Sequence, residues 1–277
     1  MEKLQEALKK AREQRGDGAA PDVTSRSSPS KPVAETSAPA SETVWQQVPQ
    51  HELDEKLLEK NRILATRASE DSTPFDILRT KVLLTMRKNG WRRLAVTSPH
   101  AACGKTTTAC NLALGFVRQP DVGVMLFEFD LRRPVIARNL SLPDGPDISE
   151  MLSGEVSLAE QAQRFSDNVV ISAARQVSGD PTSMLLRQST HETLRQIEDD
   201  FDPNLMIFDL PPLLVSDDTR AFLKDVDCVL MVAKADATTV SQIDACEREI
   251  AEQTNVLGVV LNQCQHEDNA NLNYGKY

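Results

Sequence analysis

The chain has 277 residues, room for one large domain or two small ones at about 100–200 residues each. Lys and Arg number 31 against 41 Asp and Glu, a formal charge of −10, which argues against a general nucleic-acid binder or a basic membrane-surface protein. The composition is 40% hydrophobic, yet no apolar run approaches the ~18–20 residues that cross a bilayer.

Met1-Glu2-Lys3-Leu4 leads into charged residues and not into an apolar signal core, so a soluble, cytoplasmic protein is expected. Cys103, Cys110, Cys228, Cys246 and Cys264 form no C-x-x-C pair and read as reduced thiols, and the scattered histidines offer no zinc spacing.

Within residues 1–16, Leu4, Ala7, Leu8 and Ala11 fall at i, i+3, i+4, i+7, Glu6 pairs with Lys10, and Gly16 is a stop. This predicts a short amphipathic helix, either a frayed terminus or a segment that docks on a partner. Residues 17–51 read as a disordered linker rich in Pro, Ser, Ala and Thr. Its r.m.s. reach is roughly 30–35 Å.

Residues 52–265 form one predicted α/β domain. Strands are expected at Leu94–Ser98, Val122–Phe129, Val169–Ser172, Leu205–Asp209, Cys228–Ala233 and Leu257–Asn262, all near-continuous apolar runs. Helices are expected at Lys105–Phe116, Ser183–Ile197, Asp218–Leu223 and Val240–Ala251. That alternation predicts a doubly wound, mostly parallel sheet whose ligand lies beyond the carboxyl ends of the strands. Residues 266–277 are a flexible tail holding the two tyrosines, Tyr274 and Tyr277.

Three motifs fall at those strand ends. Ser98-Pro99-His100-Ala101-Ala102-Cys103-Gly104-Lys105-Thr106-Thr107, between a strand and a helix, resembles a P-loop, so the fold is expected to be of the P-loop NTPase kind. Backbone amides and a helix N-terminus would cradle phosphates, Lys105 would add charge, and Thr106 would supply a hydroxyl to Mg²⁺. Val124-Met125-Leu126-Phe127-Glu128-Phe129-Asp130 delivers two carboxylates to one strand end. Two like charges there need a shared cation or proton, unless they are solvated and separately ion-paired. Leu205-Met206-Ile207-Phe208-Asp209-Leu210-Pro211-Pro212 delivers one Asp into a rigid turn, the pattern of a Walker-B carboxylate.

The order of Gly104-Lys105-Thr106, Phe129-Asp130-Leu131-Arg132-Arg133-Pro134 and Ile207-Phe208-Asp209-Leu210-Pro211-Pro212 resembles the bacterial tyrosine autokinases of capsule and exopolysaccharide synthesis. Phe75–Thr80, Ser216-Asp217-Asp218 and Leu257–Asn262 extend the likeness over roughly residues 60–277, nearest to free-standing cytoplasmic kinases, including those of exosortase-type loci. The resemblance implies ATP on the loop from His100 through Ala101, Ala102, Cys103, Gly104, Lys105 and Thr106 to Thr107. It implies Mg²⁺ held by Thr106, Asp130 and Asp209, with Lys105, Asp130 and Asp209 catalytic and Glu128 as candidate base. It also implies Asn262 near the adenine, and transfer to Tyr274 and Tyr277 in the tail. Asn262 to Tyr277 spans roughly 50 Å if extended, enough to reach a neighbouring molecule.

The implied partner is the cytoplasmic segment of a membrane polysaccharide co-polymerase. The family's ring-forming E-x-x-R-x-x-R pattern falls on Thr73, Asp76 and Arg79, which argues against a symmetric ring and leaves self-association open. Ala101-Ala102-Cys103 stands where the family has Pro-Gly-Glu, so an alanine is strained there if its φ is positive. Two further readings stay open: a degenerate nucleotide-binding switch, and a partitioning or septum-placement ATPase, whose second lysine is replaced here by His100.

Overall fold

The computed structural model describes residues 44–175 and 179–264. The predicted helix at 1–16 and the tail tyrosines lie outside the described residues. The strands are β1 (Arg93–Thr97), β2 (Val124–Glu128), β3 (Gln163–Ser166), β4 (Val169–Ser172), β5 (Leu205–Asp209), β6 (Cys228–Lys234) and β7 (Asn255–Asn262). Among the described residues the helices are α1 (Glu55–Lys60), α2 (Thr73–Asn89), α3 (Lys105–Leu114), α4 (Ile136–Leu140), α5 (Ile148–Ser153), α6 (Leu158–Gln161), α7 (Pro181–Leu185), α8 (Gln188–Phe201), α9 (Asp217–Phe222) and α10 (Val240–Ala251).

One seven-stranded sheet runs in the order β3-β4-β2-β5-β1-β6-β7, parallel except for β3 against β4. Both faces are covered, which is why its strands are continuously apolar. Leu94, Val96, Leu126 and Ile207 pack into one layer with α2 and α3, whereas Ala95, Met125, Phe127, Met206 and Phe208 pack into the other with α5, α8, α9 and α10. By that alternation Glu128 and Asp209, each one step past a phenylalanine, face the α3 side. On the opposite face Phe127, Phe129, Phe208 and Phe222 interlock, with Phe127 and Phe208 stacked at 5.3 Å, and fix the ends of β2 and β5.

Asn111, fully buried on α3, ties the segment before α2 to the middle of that helix. Its Oδ1 accepts from the amides of Leu64 and Ala65 at 2.7 and 3.0 Å, and its Nδ2 donates to the Arg62 carbonyl at 2.8 Å.

The folded domain begins before residue 52, and the stretch 44–51 assigned to the linker by composition is packed. Trp45 is 7% exposed and its Nε1 donates to the Phe201 carbonyl at 2.9 Å, while its ring lies edge-on to Phe201. Gly123 leaves the room for that indole, since a Cβ there would come within 2.9 Å of it. Gln50 bridges to Arg164 of β3, whose amide donates to the Pro49 carbonyl at 2.8 Å. One tryptophan and two valines supply the burial that the surrounding polar residues conceal.

The helix expected over Ser183–Ile197 is two helices, α7 and α8. Arg187 between them is extended, and the Thr190 hydroxyl donates to the Met184 carbonyl at 2.7 Å, closing the corner.

Candidate nucleotide-binding site

The chain leaves β1 at the centre of the sheet and turns into α3 through the loop containing Ala102 and Gly104. Both residues are left-handed, with φ of +61° and +90°. Ala102 thus carries the strain expected of a residue with a Cβ in that region. No side chain caps the N-terminus of α3. The arrangement leaves the first-turn amides of α3 without a side-chain acceptor, the feature that suits a phosphate.

Asn262, at the end of β7, sits against this loop. Its Nδ2 donates to the Cys103 carbonyl at 2.9 Å, and Gln263 Nε2 donates to the Ala102 carbonyl at 3.1 Å. A Cβ on Gly104 would fall on the Asn262 amide, so the close approach requires glycine. Cys103 is buried beneath the loop at 2% exposure. The His100 carbonyl accepts from Ser98 Oγ at 2.6 Å, and its ring is not among the groups lining the cavity described below.

The charged residues converge at the tips of β1, β2 and β5. Lys105 Nζ donates to Asp130 Oδ2 at 2.7 Å. Burial works against the ammonium charge, but Asp209, Asp130 and Glu128 outweigh it and hold Lys105 above the ordinary lysine range. Asp209 is fully buried, and neither carboxylate oxygen accepts a hydrogen bond. Burial pushes it up to about 6, opposed by Lys105 and by the nearby Thr106 hydroxyl, which falls short of hydrogen-bond geometry.

Glu128 is placed differently from the expectation of a base. It is fully buried and does not line the cavity. Its Oε1 accepts from the amides of Val135 and Ile136 at 2.5 and 2.9 Å, and its Oε2 accepts from the Ala174 amide at 3.1 Å. Burial raises it to about 8 against the pull of these amides. Both oxygens hold the start of α4 and the end of β4, and neither lies in the cavity where a substrate hydroxyl would come.

A cavity of about 740 Å³ opens over the loop, within the range of small-molecule sites. Ala101, Ala102, Gly104, Lys105, Thr106, Thr107 and Asp130 line it, together with Arg132, Arg133, Thr182, Pro211, Pro212, Val215 and Ser216. The Pro211 carbonyl accepts the hydroxyls of Thr97 and Thr219 at 2.7 and 2.6 Å, pinning that turn to β1 and α9. Asp218, fully buried and outside the lining, accepts Arg132 Nε and Nη2 at 2.7 and 2.9 Å. It also accepts the hydroxyls of Thr182 and Ser216. Sequence reasoning gave Asp218 and Thr182 no role, because 86 positions separate Arg132 from Asp218 and no local pattern joins them.

The comparisons agree with the motifs. The tyrosine-protein kinase Etk of Escherichia coli is 27% identical over 187 residues, covering 67% of this chain and 25% of Etk. The chain therefore spans about a quarter of that relative's length. The tyrosine-protein kinase YwqD of Bacillus subtilis is 23% identical over 208 residues, 74% of this chain and 86% of YwqD. The solved kinase domain of VpsO superposes with a TM-score of 0.63 at 25% identity, over 76% of this chain and 98% of that domain. No protein-family model matches the chain. The resemblance to bacterial tyrosine kinases and the mostly parallel α/β fold are both borne out.

Proposed function

We propose that this chain, a relative of the bacterial tyrosine-protein kinases, is an ATP-dependent protein-tyrosine autokinase that modifies Tyr274 and Tyr277 and regulates exopolysaccharide assembly. The observation that supports the reading is that Lys105, Thr106 and Asp130 line one cavity and lie near the unpartnered carboxylate of Asp209.

Two buried oxygens without a donor have an unmet demand that a divalent cation and its water supply, so the residues present fit Mg²⁺. Thr106, Asp130 and Asp209 would hold it. Bound there, the ion would neutralise phosphate oxygens. The loop amides and Lys105 fix the triphosphate in line with the cavity. The tyrosine oxygen forms a bond to the γ-phosphorus as the bond to the β,γ-bridging oxygen breaks, and ADP carries away that electron pair. The phenolic proton leaves to water in the cavity, since Glu128 and Asp209 do not line it and Asp130 is engaged by Lys105 and assigned to the cation. Asn262, expected near the adenine, holds the phosphate loop through the Cys103 carbonyl.

The partner is the cytoplasmic segment of a membrane polysaccharide co-polymerase, which recruits the chain to the inner membrane face. No helix among the described residues is long and apolar enough to cross a membrane. Self-association through Arg79 has little support. That side chain is 8% exposed, donates to the Gly115 carbonyl at 2.7 Å and pairs within the chain with Asp76.

Intact-mass measurement after incubation with Mg²⁺-ATP tests the reading. Added phosphate, lost in Lys105→Ala and on removal of Tyr274 and Tyr277, supports it; nucleotide binding with no mass gain, even with the partner segment present, refutes it. The second reading, a nucleotide-binding switch, is favoured by one observation, the withdrawal of Glu128 from the cavity. The partitioning-ATPase reading predicts steady phosphate release without modified protein, and draws no support from His100, which does not line the cavity.

A further inference from the structure

Three residues of the cavity lining, Arg132, Thr182 and Ser216, gather around a carboxylate that is not itself part of the lining. Asp218 is fully buried, yet four side-chain donor atoms converge on it: Nε and Nη2 of Arg132 and the hydroxyls of Thr182 and Ser216. These come from three separate stretches of chain, the exit of β2, the start of α7 and the turn before α9. A buried charge is tolerated only when so satisfied, and a bidentate fork fixes the guanidinium plane as well as its distance. Removing one partner would leave the other charge exposed to the full cost of burial or to rotation.

Arg132 itself is not buried. Its side chain is 51% exposed and lines the same cavity as the loop, and Nη1 makes no hydrogen bond among the described residues. Asp218 therefore occupies one edge of the guanidinium and leaves the remaining nitrogen to the cavity. A second cation held in one orientation in the same cavity as Lys105 is suited to stabilise charge developing on a phosphoryl group as it leaves ADP. Arg133 lines the same cavity, with no comparable lock on it among the described residues.

We infer that Asp218 is a positioning residue that fixes Arg132, and that Arg132 meets the transferring phosphoryl group in the cavity. This rests on the nucleotide site described above and deepens the kinase reading, but it does not require that the acceptor be a tyrosine.

The test uses the full chain with Mg²⁺, ADP and aluminium fluoride, whose planar complex with ADP imitates the phosphoryl group in flight. Wild type is expected to bind ADP at least about tenfold more tightly when fluoride and aluminium are present. Arg132→Ala is expected to bind ADP alone within about threefold of wild type and to lose the enhancement. Guanidinium ion should restore the enhancement to Arg132→Ala and not to Lys105→Ala, which a merely structural role would not produce.

Asp218→Asn should lose the enhancement to a similar degree, and the double substitution should lose no more than either alone. Should Asp218→Asn fail to fold, Arg132→Lys, a change at a half-exposed site, keeps the charge without the fork and should also lose the enhancement.

An enhancement that survives in Arg132→Ala overturns the inference, as does a loss of ADP affinity equal to the loss of the enhancement. Failure of guanidinium to rescue, or ADP binding by wild type with no fluoride complex, overturns it too. An Arg132-dependent fluoride complex in a chain that never gains phosphate on tyrosine would sink the kinase reading and leave this inference standing.

Discussion

Glu128 and Asp209 lie directly opposite each other in the β2–β5 register, both fully buried, yet one accepts three backbone amides and the other accepts no hydrogen bond. The same strand-end position thus supplies a structural anchor from one strand and a ligand-demanding carboxylate from its neighbour.

The anchor makes a clear prediction for Glu128→Gln. A carboxamide has one acceptor oxygen, so its NH₂ must face either the Ala174 amide or the pair at Val135 and Ile136. Stability should fall by about 1–3 kcal/mol in urea unfolding. A variant of unchanged stability that has lost only phosphoryl transfer would instead return Glu128 to the role of base.

Asp209 should shape stability against pH. Its folded-state pKa of about 6 lies above its ordinary 3.8, so the folded chain keeps a proton that the unfolded chain releases. Stability in the absence of nucleotide should therefore decline as pH rises from 3.8 to about 6 and change no further through this group above that. Asp209→Asn, without nucleotide, should melt higher than wild type at pH 7, by the equivalent of about 2–3 kcal/mol, while Mg²⁺-dependent nucleotide binding is lost. Melting curves at pH 5 and pH 7 check the sign; a wild type that gains stability from Asp209 across that window contradicts it.

Ala102 is a place where the chain can be improved. Its φ of +61° is one a glycine adopts freely. Ala102→Gly should stabilise the chain by about 0.5–1 kcal/mol and tighten ADP binding, because the loop no longer holds strain. Denaturant midpoints and calorimetric ADP titration of the two proteins report both effects, and a destabilised glycine variant would show the strain to be absent.

Trp45 tests where the domain starts. Trp45→Ala should cost about 3–5 kcal/mol, the range for deleting a buried aromatic ring. A truncation beginning at residue 52 should lose at least as much, since it also removes the bridge from Gln50 to Arg164. Equal unfolding midpoints for the truncated and full chains would restore residues 44–51 to the linker.

The parts of the fold legible in the sequence are those whose burial is two-sided. Val169–Ser172 and Leu205–Asp209 match their expected limits because every residue in them is buried, and Val240–Ala251 matches because Thr239 and Gln242 form a capping box around a clear helical period. β3 was invisible: Gln163, Arg164 and Ser166 are polar, and only its antiparallel pairing with β4 makes it a strand. In the site, Lys105, Thr106, Asp130 and Asp209 were readable from spacing. The different fates of Glu128 and Asp209 were not, because they depend on which loop amides reach each carboxylate. The clasp of Asn262 on Cys103 likewise joins residues 159 positions apart.

The Pro211 carbonyl, saturated by two hydroxyls, leaves the adjoining diproline turn with no slack. For that turn to yield to a bulkier occupant of the cavity, the hydroxyl bonds to β1 and α9 would both have to give way.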